Sequence, residues 1–284
     1  MNALEERCGL RERTALVIGG AGGLGRACAA ELASAGARVH VADRDAEAID
    51  ELRAQLVGTP YAVSATHMDA RDDAARSAVF QEVEQTLGAL DVLVNVVGGA
   101  FHQPFRESTP RGWDALIDAN FRWLLGSSQL AIDAMRPGGG SIINITSIEA
   151  HRAAPGFAVY AAMKAAVTSL TRTLAVELGP DGIRVNAIAP DFVPTPNMAG
   201  VVPTDTGSDA ETDRIAIPLG RRGNYADVGG CALFLASDLS RYVTGTVLHP
   251  DGGVNAARGW FNWPGAGWRN LPPADVVRRA SESP

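Results

Sequence analysis

Short apolar runs alternate with longer stretches of helical spacing along most of this chain. Thr14-Ala-Leu-Val-Ile18 is a compact apolar run that ends in glycines, the pattern of a strand buried on both faces of a parallel sheet. Gly25 to Ala35, rich in Ala and Leu, predicts a helix, and Arg38 to Ala42 a second strand. The alternation continues with a helix over Asp45–Leu56, whose acidic first turn suits the helix dipole. A strand follows over Tyr61–Met68, a helix over Asp72–Leu87 and a strand over Leu90–Asn95. In the second half, Thr109-Pro110 opens one long helix through Met135, with Pro at its first position. A strand over Ser141–Thr146 leads to a long helix over Phe157–Leu178, stopped by Gly179-Pro180. Strands over Ile183–Ile188 and Thr246–His249 flank a helix over Tyr225–Ala236. Repeated strand–helix units with right-handed crossovers predict a single α/β domain, a Rossmann-type doubly wound parallel sheet with helices on both faces, spanning residues 1–253.

Two segments break the pattern. Residues 193–217, rich in Pro, Thr, Gly and Asp, read as a lid or a disordered loop. The tail, residues 254–284, sets Trp260, Trp263 and Trp268 among glycines and prolines, so it cannot be a regular helix. Its aromatic density predicts packing on the domain or on a neighbouring subunit.

Composition narrows the class. At 284 residues the chain is long enough to bury a sizeable core without disulfides or metals. Its 46% hydrophobic and 20% charged content is ordinary for a globular protein, and a net charge of −7 argues against nucleic acid as a partner. No apolar run is long enough to span a bilayer, and Met1 to Arg13 lacks a signal core, so a cytoplasmic protein is expected. Cys8, Cys28 and Cys231 are scattered and read as reduced. The histidines show no HxH or HExxH spacing, so no catalytic metal is expected.

The first strand runs into Gly19-Gly-Ala-Gly-Gly-Leu-Gly25, and a helix follows. Glycines there let the backbone approach a pyrophosphate, and the helix N-terminus offers unpaired N–H groups. Asp43 closes the second strand, where a carboxylate accepts ribose hydroxyls and repels a 2′-phosphate. That favours NAD over NADP, with Arg44 as the opposing signal. Further on, Tyr160 and Lys164 fall four apart on one helical face, and Ser147 lies just past the fifth strand. A carbonyl that gains hydride needs a proton on its oxygen, and the reverse reaction needs a base there. A phenol near pKa 10 becomes a usable base when an ammonium and a positive pyridine ring lie close.

Together these motifs resemble the short-chain dehydrogenase/reductase family, from about Arg13 to Gly253, including members named as 3-oxoacyl reductases. The resemblance implies that Tyr160 is the acid/base, that Lys164 binds the nicotinamide ribose and lowers the phenol pKa, that Ser147 orients the carbonyl and that Asn120 completes a proton relay. It implies a cofactor set of Gly19, Gly22, Gly23, Leu24, Gly25, Asp43, Arg44, Asp69, Ala70, Asn95, Val97, Gly98, Tyr160, Lys164, Pro190, Val193 and Thr195. Ile18, Val96, Val97 and Asp191 depart from the family pattern. His151, Phe157, Asp191 and Phe192, with Ser147, are the candidate substrate contacts. Phe157, Phe192, Val193 and the lid suggest an apolar pocket for a bulky or cyclic alcohol or a 3-hydroxyacyl/3-oxoacyl group. A cis-dihydrodiol or hydroxysteroid is an alternative, and a non-catalytic nucleotide sensor on the same fold is a reading of another class. The resemblance also implies a homo-oligomer, a tetramer or dimer built on the two long helices.

Overall fold

A computed structural model of the chain describes residues 3–56, 63–135, 139–194 and 210–282. A short helix, α1 (Ala3–Cys8), leads into β1 (Thr14–Ile18), α2 (Gly23–Ser34), β2 (Arg38–Asp43), α3 (Ala46–Leu56), β3 (Val63–His67), α4 (Asp73–Leu87) and β4 (Val92–Asn95). The second half runs α5 (Pro110–Ile117), α6 (Trp123–Ala134), β5 (Gly140–Ile145), α7 (Ala158–Glu177), β6 (Ile183–Ile188), α8 (Ala210–Ala216), α9 (Tyr225–Ala236) and β7 (Val247–Leu248). The seven strands form one sheet in the order 3-2-1-4-5-6-7, parallel at every pairing. This is the doubly wound sheet that the alternating pattern predicts.

The strand period of two explains how one apolar run serves two cores. Ala15 and Val17 of β1 join Cys28 and Leu32 of α2 and Val228, Ala232 and Leu235 of α9 on one face. Leu16 and Ile18 join Val79, Phe80 and Val83 of α4, Leu124 of α6 and Val167 of α7 on the other. Asp72 caps α4 by accepting from the Ala74 and Ala75 N–H groups, and Asn224 and Asp227 form a capping box on α9. Cys8 and Cys28 are buried and Cys231 half-buried, all unpaired, and burial pushes the Cys28 thiol up to about 12.

One expectation needs correction. The helix expected over Thr109–Met135 is not continuous: a π-helical turn, Asp118–Arg122, separates α5 from α6. The tail is not one regular helix but a series of short elements. It contains α10 (Val254–Ala257), a hairpin of β8 (Phe261–Trp263) and β9 (Gly267–Arg269), and α11 (Ala274–Glu282). The glycines that argue against helix there serve the turns and the start of β9, where Gly259, Gly265 and Gly267 have positive φ. Of the expected lid, Ala210–Ala216 is helix α8, while 195–209, including Thr195, lie outside the described residues. No helix among the described residues is long and apolar enough to cross a membrane.

Candidate active site

The chain's order reverses between β1 and β4, so their carboxyl ends open a crevice at the switch point of the sheet. The glycine turn occupies it. Gly22 caps α2 with no side-chain partner, which leaves the first N–H groups of the helix unclaimed by a cap. A Cβ at Gly25 would collide with the Gly19 carbonyl, whereas space above Gly22 is open. That tight turn under an open helix end fits a pyrophosphate. Asp43 is half-buried at the end of β2 and braces the turn: its Oδ2 accepts the Ala21 N–H at 3.0 Å, and Oδ1 accepts the Asp45 N–H at 3.1 Å. Arg44 is exposed beside it. Arg26 does not reach outward, since its guanidinium donates to the Ala21 and Ala48 carbonyls.

Other residues of the implied cofactor set fall along the same edge with differing roles. Asp69 pairs with Arg71, which holds its carboxyl down to about 2. Ala70 and Val193 are buried in the cores, so only their backbone faces any ligand. Asn95 is also buried. Its amide donates to Asn144 Oδ1 at 2.9 Å, and Ser127 donates to its Oδ1 at 2.8 Å. Val97 packs partly on the core, and Gly98 is exposed. Pro190 is buried, and its carbonyl accepts the Ile148 N–H at 3.0 Å, tying the end of β6 to the turn that follows β5.

The reaction-centre candidates converge. Ser147 lies near enough to Tyr160 to draw its phenol pKa down, and its hydroxyl accepts the Glu149 N–H at 3.2 Å. Lys164 is buried beneath, with Nζ 5.8 Å from the Tyr160 ring centroid and donating to the Ile145 carbonyl at 3.1 Å. Asn120 sits in the π-helical turn. Its amide donates to the Leu116 and Gly99 carbonyls at 2.9 and 2.8 Å, and its Oδ1 accepts the Gly99 N–H at 3.2 Å. A Cβ on Gly98 would stand 2.9 Å from Asn120 Oδ1 and 3.0 Å from Lys164 Nζ. Asn120 and Lys164 therefore close on one backbone point that only glycine leaves room for.

Burial dominates the electrostatics of the Tyr160–Lys164 pair. Burial holds the Tyr160 phenol above its ordinary value, the Ser147 hydrogen bond draws it down and the Glu149 carboxylate pushes it up. Burial also lowers Lys164 to about 8, so the lysine is a weakened cation rather than a strong one. The dry pocket that positions both groups disfavours the charged form of each.

The substrate candidates divide. His151 and Phe157 line a cavity of about 660 Å³ together with Glu149, Arg152, Asn255, Arg258, Trp260 and Phe261. Val193 is core, and Phe192 lies under the Arg222 guanidinium at 4.5 Å from its centroid. The cavity is thus mixed rather than apolar. Asp191 is turned to Arg152 at 3.3 Å, and Arg152 also binds Glu149 at 2.8 Å. The sequence reading missed Glu149, Arg152, Asn144 and Arg258. Asn144 alone carries a signal, as a polar residue in an apolar strand.

A family profile described as Enoyl-(Acyl carrier protein) reductase matches residues 19–255. A 3-oxoacyl-[acyl-carrier-protein] reductase of Thermotoga maritima is 37% identical over 246 residues, covering 86% of this chain and 98% of that protein. A 3alpha-hydroxysteroid dehydrogenase of Mediterraneibacter gnavus is 34% identical over 250 residues, covering 87% and 98%. Among solved structures, a gluconate 5-dehydrogenase from Burkholderia cenocepacia in complex with NADP and tartrate matches with a TM-score of 0.81 and 33% identity, over 89% of this chain and 99% of that one. Matches of this length and identity, on a sheet and crevice of this form, place the chain in the short-chain dehydrogenase/reductase family of nicotinamide-dependent oxidoreductases.

Proposed function

We propose that this protein interconverts a secondary alcohol and its ketone, with Tyr160 as acid and base, and prefers NAD. The observation that carries this reading is the convergence of Tyr160, Ser147 and buried Lys164, with Lys164 Nζ 5.8 Å from the Tyr160 ring centroid, at the carboxyl edge of the sheet. When bound, the dinucleotide supplies the ring that accepts or returns hydride. Ser147 donates a hydrogen bond to the substrate oxygen, and Tyr160 takes its proton during oxidation or gives it during reduction. Lys164 holds the ribose beside Gly98 and favours the phenolate when charged. Asn120 positions the strand β4 exit through its paired bonds to Gly99 and links the pocket to solvent.

The preference for NAD rests on Asp43, whose carboxylate at the ribose end opposes a 2′-phosphate. The glycine turn, Asp69, Asn95 and the Pro190–Thr195 segment complete the cofactor site. The substrate is an acyclic 3-hydroxyacyl or a ring alcohol that fits the mixed cavity, and the relatives include enzymes named for each. We read the outer faces of α6 and α7, which leave Leu125 and Val176 exposed, as the contact of a homo-oligomer.

The test is NADH or NADPH formation with a panel of cyclic and acyl alcohols. Faster turnover with NAD is expected. Tyr160→Phe should lower kcat by about 10²- to 10⁴-fold with NAD affinity unchanged within a few-fold. A variant that retains turnover overturns the reading.

A further inference from the structure

We propose that the cavity takes its substrate by an anionic end, a free carboxylate, and that Arg258 is the group that holds it. This rests on the reading of the cavity as the substrate pocket. The ionised residues on the cavity wall are Glu149, Arg152 and Arg258. Arg152 is already committed, to Glu149 at 2.8 Å and to Asp191 at 3.3 Å. Arg258 has no ion pair or side-chain hydrogen bond among the described residues. In a chain of net charge −7, one wall of this cavity therefore carries an uncommitted cation.

The backbone at this position is also unusual. Arg258 ends the four-residue helix α10 in the left-handed region, φ 46° and ψ 49°, where glycine or asparagine is the common choice. A side chain with a Cβ is disfavoured there by about 1 kcal/mol or more. Gly259 follows immediately, so a cheaper helix end was available. The guanidinium lies within electrostatic range of His151, also on the cavity wall, whose protonation is disfavoured mainly by burial and in smaller part by Arg258.

Charge placement also sets orientation. Glu149 lines the cavity and its carboxylate also acts on Tyr160, so the side of the cavity toward the reaction centre repels an anion. A hydroxy acid would lie with its alcohol toward Tyr160 and Ser147 and its carboxylate toward Arg258, whose planar fork can bind both oxygens. A neutral ester or amide of the same length would lose that anchor.

The experiment is a binding titration, read by tryptophan fluorescence, because Trp260 lines the cavity. Short- and medium-chain 3-hydroxy acids and their methyl esters are the probes, added to the full chain saturated with NAD. The acids should bind about tenfold more tightly than the esters, and Arg258→Gln should abolish most of that ratio. Arg258→Lys should retain part of it, and Arg258→Gly, which suits the left-handed backbone, controls for misfolding. Stronger or equal binding of the esters, binding of neither, or an acid-to-ester ratio unchanged in Arg258→Gln overturns the proposal. Hydride transfer and its loss in Tyr160→Phe test the reaction separately, so failure of either reading is recognised on its own.

Discussion

Lys164 illustrates what a functional side chain demands of the fold. It is 4% exposed and donates to the Ile145 carbonyl. Burial lowers its pKa from 10.5 to about 8. Between those values the unfolded chain binds a proton that the folded chain does not, so stability rises as pH climbs from about 8 to about 10.5. Below that window the folded state carries the whole penalty, on the order of 3 kcal/mol. Lys164→Met should therefore raise the melting temperature of the unliganded protein at pH 7 by several degrees and flatten the gain between pH 8 and 10. The same variant should lose turnover. A melting temperature below that of the parent would show that the hydrogen bond to Ile145 outweighs desolvation.

At the scale of the element, the turn after β5 and the segment after β6 form one device. Ile148 donates to the Pro190 carbonyl, and Arg152 spans Glu149 and Asp191. Asp191, a departure from the family's glycine, has a local purpose: its carboxylate faces a guanidinium from the neighbouring turn. Burial raises the Asp191 carboxyl and Arg152 opposes that rise. The groups facing Tyr160 are Ser147, Glu149 and Lys164. Removing the cation with Arg152→Leu leaves Glu149 uncompensated and should move the rising limb of the pH profile for alcohol oxidation to higher pH. Glu149→Gln should move it to lower pH. Shifts of roughly half a unit to one unit, opposite in sign, are expected in kcat/KM. Equal shifts, or none, would remove Glu149 from the electrostatics of the site. The π-helical turn is the second such device. It interrupts the long helix where Asn120 must bond both Leu116 and Gly99.

Across the whole molecule, the tail is part of the cavity wall rather than an appendage. Asn255, Ala257, Trp260 and Phe261 line it opposite Glu149 and His151, and β8 packs against α8. Truncation after Asn255 leaves every strand of the main sheet intact. It should raise KM for the alcohol by about tenfold or more while NAD affinity and helical content stay near parental values. Unchanged KM would make the tail a surface ornament of the domain.

The order of strands and helices, the glycine turn, Asp43 and the Ser147–Tyr160–Lys164 set were all legible in the sequence. Each is written in local spacing: period two for a strand, four residues for a helical face, glycines between strand and helix. The π-helical turn was not, because a single extra residue in a helix leaves the apolar pattern on either side undisturbed. Nor were the Arg152 clamp, the raised Tyr160 phenol or the Arg258 cation at the cavity wall. Those depend on which groups meet across long stretches of chain, Glu149 with Asp191 and His151 with Arg258, and on how much water the meeting excludes. Local sequence fixes what a residue is able to do, while tertiary packing fixes its neighbours and its dielectric, and with them its charge.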